Sequence, residues 1–286
     1  TPCGTLFPYT TLFRSVLPTL VEAIRGAAAG LRAAAAHSMG ELEDTRTLDH
    51  LLRALEDPDH WVRYQAARAI GRYDYYLIDT LEGIEIPDST PHAPSDGETD
   101  LAERAFASLE QLADGDPAHP VRAAATESLG RIGGVRATPI LARLADTDDP
   151  EGDVARAALR ALGRINRAQA VPPLLTALNS PDPERRLDAL HAFRERGGEE
   201  AGVALQWMAA ADPEERVVAA AIESLSSIAT PEAISALLEL TVDPSIRETC
   251  LDALVTRNCP QRLQGEYIEL IAEGLRHVHP GVRCSV

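Results

Sequence analysis

Small and large apolar residues recur along this chain in fixed columns, at intervals of roughly 31 residues. The strings DPDHWVRYQAARAIGRY (57–73) and DPAHPVRAAATESLGRI (116–132) share one frame, in which the valine before an arginine serves as an anchor. Equivalent anchors are Leu31, Val62, Val121, Val154, Arg185, Val217, Ile246 and Val282. A period of this length predicts one helical hairpin per repeat: a first helix, a Pro/Asp turn, and a second helix that begins at the anchor.

Three columns predict which face of the second helix is buried. Four positions after the anchor (+4) the residue is small: Ala35, Ala66, Ala125, Ala158, Ala189, Ala221 and Cys250. At +7 it is again small: Ser38, Ala69, Ser128, Ala161, Ala192, Ser224 and Ala253. At +8 it is large and apolar: Met39, Ile70, Leu129, Leu162, Phe193, Leu225 and Leu254. Because +4 and +8 lie one turn apart, this face is predicted to be buried, with small residues that let neighbouring helices approach closely.

Glycine occupies +9 in four repeats, at Gly40, Gly71, Gly130 and Gly163. No strand precedes these glycines, so they do not fit a phosphate-binding loop. They fit either close helix packing or a helix C-terminus.

The pattern DPxxxVRxxAxxALGRI with an alanine-rich second helix resembles HEAT repeats, in particular the short HEAT-like repeats of phycobilin lyases. The resemblance covers residues 16–286 apart from one insertion, and prolines 18, 139, 172 and 231 fit the expected helix starts. It implies an all-α fold, a right-handed α-solenoid of about seven to eight helical hairpins. It does not imply one function, because HEAT arrays serve as scaffolds in many roles.

The repeats divide the chain into four segments. Residues 5–15, TLFPYTTLFRS, resemble a common sequencing adapter translated in frame, so residues 1–15 are interpreted as a non-native N-terminal scar. Residues 16–72 and 101–286 are HEAT-like, and residues 73–100 form an acidic insertion. The last repeat stops at HPGVRCSV, where its second helix is due. We therefore expect a metagenomic fragment from the interior of a longer array.

The insertion carries eight acidic residues and no arginine: Asp74, Asp79, Glu82, Glu85, Asp88, Asp96, Glu98 and Asp100. Its first part, 73–86, has aromatic and apolar residues that could dock on the solenoid or on a partner. Its second part, 87–100, is typical of a flexible, disordered loop. A binding role and a tolerated surface loop both stay open.

Arginine follows the anchor in most repeats, and aspartate lies in the turns nearby. Regular pairing of this kind favours a structural ladder between the loops of adjacent repeats over a phosphate-binding site. The predicted ladder consists of Asp57, Arg63, Asp116, Arg122, Asp243 and Arg247.

Every residue six positions after the anchor is ionisable: His37, Arg68, Glu127, Arg160, His191, Glu223 and Asp252. At about 100° per residue this +6 column lies roughly opposite the buried stripe. We predict that it lines the concave groove of the solenoid and binds a partner peptide or helix through complementary charge. A solvated face with no specific ligand is the alternative.

Charge excludes several classes of partner. The net charge of −17 disfavours nucleic acid and anionic membranes, which attract basic surfaces. The 27 basic residues are all arginine, which fits either GC-rich coding or a halophilic source. Cys250, Cys259 and Cys284 have no disulfide or zinc spacing, and no run is long enough for a membrane span. We expect free thiols and a cytoplasmic protein.

The sequence predicts no catalytic residue, cofactor or metal, because no nucleophile has a base and an orienting group at a readable spacing. The main prediction is a non-enzymatic protein-interaction scaffold. A chromophore-binding protein like the phycobilin lyases is one alternative, although aromatic residues make up only 4% of the chain. A metal-dependent HEAT-repeat hydroxylase is another, although His37 and His191 lack the following glutamate that the hydroxylase family repeats along its second helices.

Overall fold

The computed structural model describes residues 9–73, 96–147, 152–165, 167–228 and 230–256. Within these ranges the chain is all-helical, as predicted, and its fourteen α-helices form successive hairpins of a first and a second helix. The first helices are α1 Tyr9–Ala23, α3 Leu48–Ala54, α5 Asp96–Gly115, α7 Thr138–Ala145, α9 Val171–Leu178, α11 Gly198–Ala211 and α13 Pro231–Leu240. The second helices are α2 Ala29–Leu42, α4 His60–Ile70, α6 His119–Ile132, α8 Asp153–Arg164, α10 Pro183–Arg196, α12 Glu215–Ile228 and α14 Arg247–Thr256.

The chain divides into two compact units, Thr1–Ala161 and Leu162–Val286. In the first unit the second helices α2, α4 and α6 pack in succession, and the first helix α3 packs on α5. In the second unit α10, α12 and α14 pack in succession, and α11 packs on α13. Each unit is therefore two layers of helices around one apolar core.

The +4 and +8 columns that the sequence predicts lie in the core, which also contains first-helix residues such as Leu51, Leu109 and Leu141. Every +4 residue from Ala35 to Cys250 is buried, and the +8 residues from Met39 to Leu225 are fully buried. Leu254, the last +8 residue, is half-buried and packs against Ile234 and Leu238 of α13. A fully buried Leu, Ile or Phe side chain stabilises a fold by about 1.5–3 kcal/mol, so this single column carries much of the stability.

The glycines at +9 let second helices pack with almost no side chain between them. A Cβ atom built on Gly40 of α2 would lie 2.7 Å from the Cβ of Ala69 on α4. The same +9 to +7 contact recurs in the first unit. A Cβ atom built on Gly71 would lie 2.5 Å from the Ser128 hydroxyl oxygen, and one built on Gly130 would lie 2.3 Å from the Cβ of Ala161. In the second unit, Gly163 meets the backbone of Ala192. Close packing therefore explains these glycines, and Gly71 is in addition the C-cap residue of α4.

Arginine and aspartate connect successive repeats beside this core. The Arg63 guanidinium donates to both carboxylate oxygens of Asp116 in the next turn, at 2.7 and 3.0 Å. It also donates to the Asp57 carbonyl of its own turn, at 2.8 Å. Arg32 and Asp57 form the equivalent bidentate pair one repeat earlier. Hydrogen bonding to Arg32 holds the pKa of Asp57 below its usual value.

The ladder also contains a rung that was not predicted from the sequence, and Asp243 lies outside it. The Arg122 guanidinium donates to the Asp116 carbonyl at 3.0 Å. In the second unit, Arg186 donates to both oxygens of Asp212 at 2.8 and 3.0 Å. Asp243 accepts from the Ser245 amide instead. The repeat before Asp243 has a valine at 218 where other repeats have arginine, so no arginine is available there.

Arg247 likewise bonds its own turn, at the carbonyls of Thr241 and Val242. Asp243 and Arg247, both predicted members of the ladder, therefore bond within their own turn.

The boundaries of the acidic insertion differ from the predicted ones. Helix α5 begins at Asp96, so the disordered loop predicted for 87–100 does not extend to residue 100. Tyr73, at the start of the insertion, is buried, and its hydroxyl lies 2.7 Å from Thr47 Oγ1 and donates to the Met39 carbonyl at 3.0 Å. Burial raises the pKa of Tyr73 to about 12.

Three of the predicted segments fall partly outside the described residues. They are the N-terminal scar up to residue 8, the insertion at 74–95, and the truncated last repeat at 257–286. From Tyr9 onward, the N-terminal segment is part of helix α1.

Replacing Gly40 by alanine is expected to destabilise the first unit by about 1–3 kcal/mol, because the added methyl meets Ala69 at 2.7–2.8 Å and one helix must shift. Gly30→Ala in the same helix is the matched control, since a Cβ there meets nothing within 4 Å. Alanine at residue 30 is expected to be neutral or slightly stabilising. Thermal unfolding followed by circular dichroism compares the two variants, and equal midpoints would show that close helix contact does not require the glycine.

Replacing Asp116 by alanine is expected to cost about 2–3 kcal/mol, because Arg63 would keep a nearly buried charge without its partner. The side chains of Arg63 and Asp116 are 11% and 2% exposed. Asp114→Ala is the matched control: it removes the Arg143–Asp114 pair, whose side chains are 53% and 40% exposed, and is expected to cost less than about 1 kcal/mol. Urea unfolding of both variants measures the difference, and similar costs would mean that burial of the ladder is unimportant.

Candidate partner-binding groove

The structure places the +6 column on the surface of the second helices. His37, Arg68, Arg160, His191, Glu223 and Asp252 are exposed, and Glu127 is half-buried. Four of these residues belong to the first unit and three to the second. His37 lies 3.6 Å from Glu41 on its own helix, an exposed i,i+4 pair of little energetic weight.

Three residues of the column, Arg68, Glu127 and Arg160, line one groove in the first unit, with a volume of about 240 Å³. The groove runs over three second helices: α4 supplies Tyr64 and Arg68, α6 supplies Pro120, Ala123, Ala124 and Glu127, and α8 supplies Asp153, Arg156, Ala157 and Arg160. The start of α4 is fixed by the Asp59 carboxylate, which accepts from the Trp61 and Val62 amides.

An aromatic and cationic stack forms one wall of the groove. The rings of Trp61 and Tyr64 lie parallel, with centroids 4.8 Å apart and planes inclined by 11°. The Arg68 guanidinium carbon lies 5.6 Å from the Tyr64 ring centroid, and its Nη1 donates weakly to the Tyr64 hydroxyl at 3.4 Å. Trp61 is 49% exposed although it is stacked. Tyr64 and Arg68 line the groove, and Trp61 stacks on the Tyr64 ring beside it, so these side chains are already held in place.

Small side chains make the floor of the groove. Pro120, Ala123 and Ala124 from α6 and Ala157 from α8 lie between the two walls. With only a methyl or a ring at these positions, the backbone of a bound segment can approach the helices closely.

The acids of the groove already have basic partners. Glu127 accepts from Arg131 at 2.8 Å. Asp153 lies 3.5 Å from Arg156 and 3.2 Å from the His119 ring. By contrast, Arg68 and Arg160 make no ion pair with any residue in the described part of the chain. The open charge of this groove is therefore positive, although the chain as a whole carries −17.

The +6 residues were predicted from the sequence, whereas the residues around them at the groove were not. Tyr64 and Arg156 are at +2, and Trp61 and Asp153 are at −1. Positions −1, +2, +3 and +6 follow the 3–4 spacing of one helical face, so extending the +6 column along its helix would have found them. The exposed Trp61 beside Tyr64 was a second available signal.

In the second unit the corresponding face is less basic. Arg216 at −1 pairs with Glu184 at −1 of the preceding second helix, at 2.9 Å. His191, Glu223 and Asp252 continue that face. The structure thus brings together three of the seven column residues as lining of one groove.

Possible metal ligands and the cysteine thiols are the remaining candidates for reactive groups in the described residues. Among them, no group of three or more His, Cys, Asp or Glu side chains is placed to hold a metal ion. The Cys250 thiol is fully buried at a +4 position, and burial raises its pKa to about 11, which suits packing and not nucleophilic attack. Cys259 and Cys284 lie outside the described residues. None of the helices in the described ranges has the length and apolarity needed to cross a bilayer.

Helical hairpins stacked second helix on second helix define the chain as an α-solenoid of short repeats. The family profile for HEAT repeats matches residues 17–84, 98–152 and 147–214, and the profile for the PBS lyase HEAT-like repeat matches residues 217–243. These matches take in more than half of the chain, which therefore belongs to the HEAT-repeat family.

Structures with this fold are similar at low sequence identity. A chain of a homology model of the full-length AP-3 complex, in an intermediate open conformation, matches with a TM-score of 0.54 and 13% identity, covering 90% of this chain and 54% of that one. The YibA protein of E. coli matches with a TM-score of 0.50 and 17% identity, covering 94% and 98%. Both similarities show the fold alone.

A chain of the CpcE–CpcF complex of phycocyanin lyase from Nostoc sp. PCC7120 matches with a TM-score of 0.49 and 21% identity, covering 89% of this chain and 92% of that one. None of the curated protein sequences compared with the chain matches it significantly.

The buried Cys250 is expected to resist alkylation in the folded protein. With a pKa of about 11, on the order of 0.1% of the thiol is ionised at pH 8, and the reagent has no access to it. Iodoacetamide treatment at pH 8, followed by peptide mass spectrometry, is expected to label Cys250 at least tenfold faster in urea than without it. Equal rates would mean that this part of α14 opens readily.

Proposed function

We propose that this HEAT-repeat chain is a non-enzymatic interaction scaffold that holds an extended partner segment in the groove over α4, α6 and α8. The observation that carries the proposal is the groove itself, in which three successive second helices contribute Tyr64, a floor of small residues and a set of charged side chains, with the exposed Trp61 stacked on Tyr64 beside it.

The repeat geometry suits an extended peptide. Packed helices lie about 8–10 Å apart, which corresponds to about three residues of extended chain. A segment that crosses the groove therefore meets a new second helix every few residues, and about six residues span all three helices. Each helix offers the partner its −1, +2, +3 and +6 positions.

The groove also has the features of an energetic centre for binding. Trp61 and Tyr64 are rigid aromatic side chains with only two side-chain torsion angles each. Stacking has already ordered both rings. Aromatic and arginine side chains supply most binding energy at protein interfaces. The small floor lets a partner side chain be enclosed between the Tyr64 wall and Arg160.

The other candidate functions have less support. No contact in the described ranges favours bilin attachment or iron-dependent hydroxylation over binding. A purely solvated face is the competing explanation, and it accounts less well for an exposed tryptophan stacked beside a groove.

Filling the groove floor tests the proposal. Random-peptide display is used to select binders of the full chain, and each enriched peptide is then measured against two variants. Ala123→Leu places a larger side chain on the groove floor and is expected to weaken binding at least tenfold. Ala107→Leu is the matched control, because residue 107 is exposed on the first helix α5, away from the groove.

Peptides that lose binding to Ala123→Leu and keep it to Ala107→Leu support the proposal. Failure to enrich any peptide, or binding unaffected by both variants, would contradict it. Circular dichroism melts of both variants check that the fold is intact.

A further inference from the structure

We infer that the groove selects an acidic partner, an extended peptide whose Asp or Glu carboxylates pair with Arg68 and Arg160. This inference rests on the proposed function, since it names the chemistry of the segment that the groove would hold.

Charge balance within the groove gives the first reason. Its lining contains three arginines and two acids. Glu127 and Asp153 already contact basic side chains, so their charges are compensated locally. Arg68 and Arg160 make no ion pair with any residue of the described ranges, and they belong to helices on the two sides of the floor. An occupant with carboxylates at both sides would neutralise both arginines. A basic occupant would instead be repelled by them.

The environment of Arg68 gives the second reason. Its guanidinium lies over the Tyr64 ring, which is itself stacked on Trp61. This contact and the weak hydrogen bond to the Tyr64 hydroxyl hold the guanidinium beside the ring and leave its other N–H groups for a ligand. A planar carboxylate accepts two parallel hydrogen bonds from a guanidinium edge, which is the strongest pairing available to an exposed arginine.

The floor explains why the occupant is a peptide. Ala123, Ala124 and Ala157 offer methyl groups between the two arginines, so the centre of the site is apolar and only its sides are cationic. An extended peptide can match this order with an apolar residue between acidic ones. A nucleic acid strand carries a charge at every step and would also meet Glu127 and Asp153 within a chain of net charge −17.

Three matched peptides test the inference by calorimetry against the full chain at low and high salt. The first alternates Glu and Leu over about ten residues and is blocked at both ends; the others replace every Glu by Gln or by Arg. The Glu peptide is expected to bind at least tenfold more tightly than the Gln peptide at low salt, and the preference is expected to shrink at high salt. The Arg peptide is expected to bind most weakly.

The arginine variants connect this preference to the site. Arg68→Gln combined with Arg160→Gln is expected to bring the Glu and Gln peptides within about twofold of each other. Arg53→Gln is the matched control, because Arg53 is 68% exposed on the first helix α3, and it is expected to keep the full preference.

Three outcomes would overturn the inference: a Gln peptide that binds as tightly as the Glu peptide, a preference that survives in the double variant, or a single-stranded oligonucleotide that competes as well as the Glu peptide does. The effect of Ala123→Leu on the affinity for the peptides is measured as a separate test. Peptides that bind without charge preference but are lost in Ala123→Leu would overturn only the acidic specificity, whereas insensitivity to Ala123→Leu would count against groove binding itself.

Discussion

Close contact between neighbouring second helices is the constraint on which the rest of this structure depends. At the +9 and +7 positions, glycine faces alanine or serine with no room for another methyl group. Ser128 even bonds across the contact, donating to the Ala67 carbonyl at 2.8 Å. Helices that approach this closely fix the separation of the repeats, and with it the distance between every pair of equivalent surface residues.

The Arg–Asp ladder depends on that separation. A bidentate guanidinium–carboxylate pair tolerates little variation in distance, and the pairs at Arg32, Arg63 and Arg186 all form within 3.0 Å. Each arginine also bonds carbonyls of its own turn. One side chain thus joins two repeats through groups that would otherwise be left without partners near the core. In a solenoid, where each repeat contacts mainly its neighbours, such local links repeated along the chain supply the long-range order.

The groove is a consequence of the same packing. Once α4 and α6 are held together by small residues, their −1, +2 and +6 positions on the outer face come within reach of one ligand, and the same positions of α8 complete the lining. The chain can then be strongly acidic overall and still present two uncompensated arginines in one place. The surface columns are the ones available for binding, because the buried columns are already committed to stacking.

The sequence by itself determined the repeat, the hairpin order and the buried columns, since each follows from a period of one helix or one hairpin. Only the tertiary structure decided that Arg68, Glu127 and Arg160 share a groove, that Asp212 completes a rung while Asp243 does not, and that α5 begins at Asp96. A period specifies which face of a helix points outward. It does not specify how far apart two outward faces lie, because that distance comes from side-chain packing between repeats.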